Sequence, residues 1–157
     1  VVCGKITSMK KLSLYVFLGL LWCNVGFAED LSTVDINQLK KLKTKEIKAA
    51  LINKKITGYY QWGNKEPYNF EEIHEPDEKY FQDNEKYGKI SGEWKVKDDE
   101  LCYKYYKTSF WEADKEFKCG ISVYTKYDIV YYFFSIDTQA FFAKTTSSID
   151  LTKYNSM

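Results

Sequence analysis

A mainly β fold with one amino-terminal helical segment, its strands forming an antiparallel meander that curls into a small barrel or half-barrel, is what this sequence predicts. Three observations carry it. Aromatic residues make up 18% of the chain, with 14 Tyr and 10 Phe, and such rings favour pleated, half-buried surfaces. From Ile56 onward short segments of two-residue alternation recur between clusters of turn-forming residues. Helical periodicity is confined to the stretch before Asn53. At 157 residues the chain has the size of one domain with room for one core.

Taken in order, residues 1–8 precede Met9 as an upstream extension. Met9-Lys10-Lys11, the apolar run Leu12 to Trp22, and small residues at Gly26 and Ala28 before Glu29-Asp30 make the three-part pattern of a secretory signal over 9–28. The apolar run is too short for a comfortable span. Cleavage after Ala28 is expected, leaving one β-rich domain over 29–157, periplasmic or secreted and without a stable membrane span. Trp22 before Cys23 does not fit a lipidation site, which needs a small residue there.

Glu29 to Asn37 reads as a loose polar leader. Ile36, Leu39 and Leu42 fall at helix-like spacing. Thr44 is placed to cap a turn series over Lys45 to Asn53, with Ile47, Ala50 and Leu51 on one face. Strands are expected at Ile56–Trp62, Tyr68–His74, Glu78–Gln82, Gly88–Val96, Leu101–Lys107, Glu116–Thr125, Ile129–Ser135 and Gln139–Thr145. Turns fall at Gly63-Asn64, Glu75-Pro76-Asp77, Lys97-Asp98-Asp99 and Lys126-Tyr127-Asp128. The Ser/Thr-rich tail after Thr146 reads as frayed. In Gly92-Glu93-Trp94-Lys95-Val96, alternation turns Trp94 and Val96 inward and the charged residues outward. A meander of this length tends to close, because closure removes exposed edges.

Composition excludes some functions. Basic residues are all Lys, with no Arg, so there is no bidentate guanidinium clamp for phosphate or carboxylate. Removing residues 1–28 takes away Lys5, Lys10 and Lys11 and no acid, leaving 20 basic against 22 acidic residues and a net charge of −2. Nucleic acid is therefore not an expected partner. There is no glycine-rich phosphate loop, Gly-x-Ser-x-Gly, His-Glu-x-x-His or EF-hand pattern, and no cofactor is expected.

Removal of the leader takes Cys3 and Cys23 with it. Cys102 and Cys119 remain, and in an oxidising compartment two cysteines most simply make one disulfide. With a single His, the mature chain is short of the four ligands a zinc site wants, so no metal site is expected. One conflict stands. Cys102 shares a face with Lys104 and Tyr106, whereas Cys119 shares one with Phe117, Ile121 and Val123. A bulge, a strand-end position or a sheet covered on both faces would each resolve it.

The order of Glu46 to Leu51, Gly58-Tyr59-Tyr60, Gly92-Glu93-Trp94-Lys95-Val96, Asp98-Asp99, Leu101-Cys102 and Cys119 resembles a group of small exported bacterial β-domain proteins of unknown function. The pattern covers about residues 45–135. The resemblance implies a secreted β-domain with one disulfide and supplies no catalytic residues.

Candidate chemistry is sparse. His74 lies among acids in Phe70-Glu71-Glu72-Ile73-His74-Glu75, with Glu72 on its face, an arrangement able to raise its pKa for acid–base work; the alternative is a surface His at a strand end. Glu71, Glu72, Asp98, Asp99, Glu112 and Asp114 are the acids from which a hydrolase would draw a pair. Tyr59, Trp62, Trp94, Tyr103, Tyr105 and Phe133 are the rings that would line an apolar ligand cavity, or else fill the barrel. The leading expectation is a non-enzymatic binding or accessory protein of the cell envelope, its partner a small apolar ligand or an envelope protein. An inhibitor or protein-interaction module, like small periplasmic lysozyme inhibitors in size and class only, would present a protruding loop at Thr108 to Lys115. A hydrolase would use carboxylates near His74.

Overall fold

The computed structural model describes residues 30–136 and 139–153. The expected extension 1–8 and signal 9–28 lie outside the described residues. After a short strand β1 (Lys40–Lys41) and one helix α1 (Thr44–Leu51), the chain runs as β2 (Lys54–Trp62), β3 (Tyr68–His74), β4 (Lys79–Asn84), β5 (Gly88–Lys97), β6 (Glu100–Tyr105), β7 (Lys118–Lys126), β8 (Ile129–Ile136) and β9 (Gln139–Asp150). Each of β2 to β9 pairs antiparallel with the next, and β9 returns to β2, with Gln61 opposite Phe142 and Lys54 opposite Asp150. The meander is thus a closed eight-stranded barrel, with β1 added beside β7. No helix among the described residues is long and apolar enough to cross a membrane.

Alternation sets what faces inward. Along β3 the buried positions are Phe70, Glu72 and His74; along β4 they are Tyr80, Gln82 and Asn84; along β5, Ile90, Gly92 and Trp94. Outward positions carry charge, as in the Lys55–Glu71 pair across β2 and β3 at 2.8 Å. Apolar inside and charged outside is the reverse of a lipid-facing barrel. Ile47 and Leu51 of α1 are fully buried with Leu42, Ile56, Leu101 and Val123 and plug one end of the barrel.

Two hairpins owe their tightness to two-residue turns with both residues in the left-handed region: Asp98 and Asp99 between β5 and β6, Tyr127 and Asp128 between β7 and β8. That conformation matches strand twist and suits Asp. Asp99 has a second use. Its carboxylate accepts from Thr44 N at 2.7 Å and Thr44 Oγ1 at 2.9 Å, anchoring the first turn of α1, and the Thr44 amide foremost holds its pKa down to about 2. Two glycines sit where strands touch. A Cβ on Gly58 would overlap the Lys144 carbonyl and the Phe70 ring; one on Gly92 would overlap the Lys104 carbonyl.

Several expectations are corrected. The segment holding Ile36, Leu39 and Leu42 is not a helix: a 3-10 turn at Ile36–Gln38 gives way to β1, because pairing with β7 satisfies its backbone better than an isolated turn. The expected loose leader is pinned from Asp30. Leu31 is fully buried against Tyr59 with Val34, Ile36 and Phe133, on the outside of the barrel, and Leu31 N donates to Gln61 Oε1 at 2.7 Å. The tail is not frayed after Thr146. β9 continues to Asp150 beside the start of β2, and Leu151 N donates to Asn53 O at 2.8 Å.

The disulfide joins Cys102 and Cys119. The facing conflict is resolved by a bulge: Leu101 pairs with Ile121 but Cys102 with Cys119, so Gly120 is an extra residue on β7, at φ 122°. It takes Cys119 out of phase with Ile121 and Val123 and turns it toward Cys102.

Candidate functional site

At the barrel end away from α1 the interior is not filled. A cavity of about 290 Å³ lies there, within the size range of a pocket for a small ligand. Its floor holds Glu72, Tyr103 and Tyr132, its walls Tyr60, Gln82, Ile90, Tyr105 and Ile121, and its rim Trp62, Tyr68, Asn84, Tyr87 and Trp111.

Glu72 is the one acid of the lining. Alternation along β3 forces it inward between Phe70 and His74, and it is buried. Its carboxylate is met by three phenols: Tyr132 donates to Oε1 at 2.7 Å, and Tyr60 and Tyr80 each donate to Oε2 at 3.2 Å. Behind Tyr60 the polar chain continues to the rim. Gln82 Nε2 donates to the Tyr60 hydroxyl, Asn84 Nδ2 to Gln82 Oε1 at 2.9 Å, and Tyr87 N to Asn84 Oδ1 at 2.7 Å. Every donor in this chain points toward Glu72, so the bonds polarise one another toward a negative charge at its end. Burial outweighs them and lifts the Glu72 pKa to about 7. Among the described residues no ion pair involves Glu72.

His74 lies one step further along β3, beneath the cavity. It is fully buried, against the expectation of a surface position, because it holds an inward phase of β3 packed by Tyr80, Trp94 and Tyr103. Its Nε2 bonds to the Tyr103 hydroxyl at 2.9 Å, its Nδ1 has no partner, and burial lowers its pKa to about 3. The carboxylate-raised pKa considered for it is thereby corrected: the ring is neutral.

The segment between β6 and β7 folds back over the rim rather than protruding. Asp114 N donates to Tyr105 O at 2.9 Å and Tyr105 N to Asp114 Oδ2 at 3.0 Å. This brings Trp111 to the rim, with its ring 5.5 Å from Tyr87. The Trp111 indole N–H is buried without a partner.

Of the six rings expected from sequence to line a cavity, Trp62, Tyr103 and Tyr105 do so. Trp94 is core below it, its indole donating to Glu75 O at 2.9 Å. Tyr59 and Phe133 pack on the outside of the barrel under Leu31. Where β2 shifts register against β9, between Thr57 and Gly58, the extra residue is Thr146 on β9; β2 itself alternates unbroken from Ile56, so Tyr60 and Trp62, not Tyr59, line the interior. Glu72 was legible only as an acid beside His74; the signal for its burial was its phase with Tyr68 and Phe70. Of the remaining acids, Glu71 pairs with Lys55, Glu112 with Lys107 and Asp114 with Lys118, and Asp98 and Asp99 form the turn between β5 and β6. Among the described residues no group of three or more His, Cys, Asp or Glu side chains gathers as a metal site.

No family model, curated protein or solved structure matches this chain. The resemblance to small exported β-domains thus rests on the residues quoted for it.

Proposed function

We propose that this chain is a non-enzymatic binding protein of the cell envelope, exported by its leader, that holds a small, largely apolar ligand in the barrel cavity. The observation that carries the reading is the cavity itself, ringed by aromatic side chains with a few polar groups at fixed positions, as ligand sites are. A barrel meant only to be stable would fill that space, since unfilled volume costs stability. The unpartnered Trp111 N–H beside it is a donor that an acceptor on a ligand would satisfy. The hydrolase alternative draws little support from a neutral His74 sealed below the cavity and a single carboxylate within it.

The neutral fluorophore N-phenyl-1-naphthylamine tests this. One-to-one binding with a blue-shifted, enhanced emission is expected, and Ile90→Trp, which fills the cavity from β5, should abolish it while the far-ultraviolet circular dichroism stays unchanged. Equal binding by the folded Ile90→Trp variant, or no binding by the wild type, would overturn the cavity reading.

A further inference from the structure

The cavity carries a carboxylate and no cation. Its other polar side chains are amides, phenols and indoles, none of them charged, and its rim is built largely of rings. An anionic ligand would set a second negative charge beside Glu72 in a space shielded from water, where like charges repel strongly. A neutral ligand would displace water and leave the carboxylate buried without a counter-charge. A cation removes that penalty, and the electron-rich faces of Trp and Tyr attract it as well. Two of the rim rings already hold one ammonium: Lys86 Nζ stands 5.5 Å from the Tyr68 ring centre and 5.2 Å from that of Tyr87.

We propose that the ligand is a small organic cation, an ammonium or alkylammonium group on an apolar body, with its charge against the Glu72 carboxylate and its body among the rings of Tyr60, Trp62, Tyr105 and Trp111. This rests on the cavity-binding reading above. The groups facing Glu72 are Tyr60 from β2, Tyr80 and Gln82 from β4, Tyr103 and Tyr105 from β6 and Tyr132 from β8. The phenols are shifted upward by burial, and His74 is neutral down to about pH 3. Glu72, near 7, is therefore the one group of this set whose charge changes around neutrality, and cation affinity falls as it takes up a proton.

Three probes on one phenyl frame test the inference by calorimetry: 2-phenylethylammonium, the neutral 2-phenylethanol and the anion phenylacetate. At about pH 8 the ammonium should bind at least ~tenfold more tightly than the alcohol, a difference of about 1.4 kcal/mol, and phenylacetate most weakly. Below pH 7 the ammonium affinity should fall by up to about tenfold per pH unit, as one linked proton requires, while that of the alcohol does not fall. In Glu72→Gln the ammonium and the alcohol should bind alike at every pH. Alcohol or phenylacetate binding as tightly as the ammonium to the wild type would overturn the cation assignment while N-phenyl-1-naphthylamine binding kept the cavity reading intact. Ammonium preference and its pH profile surviving in folded Glu72→Gln would remove Glu72 as the anchor. Failure of all three probes where the fluorophore binds would also overturn the cation assignment; failure of the fluorophore too would remove both readings.

Discussion

At the scale of single residues, the interior holds two titratable groups whose pKa values burial has pushed in opposite senses. Glu72 is raised from 4.5 to about 7 and His74 lowered from 6.5 to about 3. Between about pH 4.5 and 7 the folded chain binds the Glu72 proton and the unfolded chain does not, so this group adds stability as pH falls through that window and the gain is gone above 7. Between about pH 3 and 6.5 the unfolded chain protonates His74 and the folded chain does not, so this group removes stability as pH falls. Each slope is about 1.4 kcal/mol per pH unit, and from 6.5 to 4.5 they offset. Glu72→Gln should therefore gain on the wild type by roughly 3 kcal/mol between pH 4.5 and 8. His74→Gln should gain by about 2 kcal/mol between pH 6.5 and 5. Urea unfolding at these pH values reads both; variant and wild-type curves running parallel in pH would show that neither side chain is buried as described. The burial of both residues was open to sequence reasoning through the phase of Tyr68 and Phe70, two apolar residues on their face of β3. A Glu and a His in an otherwise apolar alternation read as a strand end because nothing in β3 alone shows that Tyr60, Tyr80, Tyr103 and Tyr132 arrive from four places in the chain to accommodate them.

Among the elements, the β5–β6 hairpin was the most legible. Its alternation turns Trp94 inward and its Lys97-Asp98-Asp99 cluster marks a turn, and both hold, the turn with Asp98 and Asp99 left-handed. The β6–β7 pair was less so, since its register hangs on one extra residue at Gly120, which the alternation shows only as the conflict in facing between Cys102 and Cys119 and does not place. The disulfide across that bulge spans 17 residues and closes the base of the segment that carries Trp111 to the rim. Cross-linking a loop of this length removes chain entropy from the unfolded state equivalent to about 3 kcal/mol. The bond also tethers a segment otherwise held by few buried contacts, and such segments open first. Replacing both cysteines by alanine should therefore lower stability by about 3 kcal/mol in urea, and it should speed release of N-phenyl-1-naphthylamine in stopped-flow dilution more than it weakens the core. A double variant that matched the wild type in both measurements would show that the hydrogen bonds between Tyr105 and Asp114 hold the segment without the bridge.

For the whole molecule the decisive contact is the one that closes it. Seven of the eight pairings join neighbours in sequence, four of them across turn clusters that the sequence marks; the eighth joins β2 to β9, separated by about ninety residues of chain, and no local signal marks it. Barrel and half-barrel are equally compatible with the sequence for that reason, and the Ser/Thr run at its end reads as frayed. Those residues belong to the seam instead. Ser147 pairs with Thr57 and their hydroxyls lie 2.7 Å apart; Ser148 pairs with Ile56, Ile149 with Lys55 and Asp150 with Lys54. On an outward barrel face Thr and Ser fit a strand well, Thr through its β-branch, so polarity alone did not argue against one. Loop closure over such a distance has to be offset by contacts that form late, and the seam supplies them next to Ile56, a fully buried residue that α1 covers. Truncating the chain after Thr145 removes half of the seam. It exposes the β2 edge from Lys54 to Thr57 and uncovers the side of Ile56 facing β9. A frayed tail would be dispensable, and its loss would leave the melting temperature unchanged. A seam is not: the truncated chain should lose its single cooperative transition, or melt at least about 10 °C lower, as a loss of 2–3 kcal/mol would produce in a domain of this size. It should also fail to bind N-phenyl-1-naphthylamine one-to-one, because a cavity inside an opened sheet no longer has walls on all sides. A truncated chain that melts as the wild type does and still takes up one fluorophore would show that the remaining half of the seam, Gly58 to Trp62 paired with Phe141 to Thr145, holds the barrel shut alone.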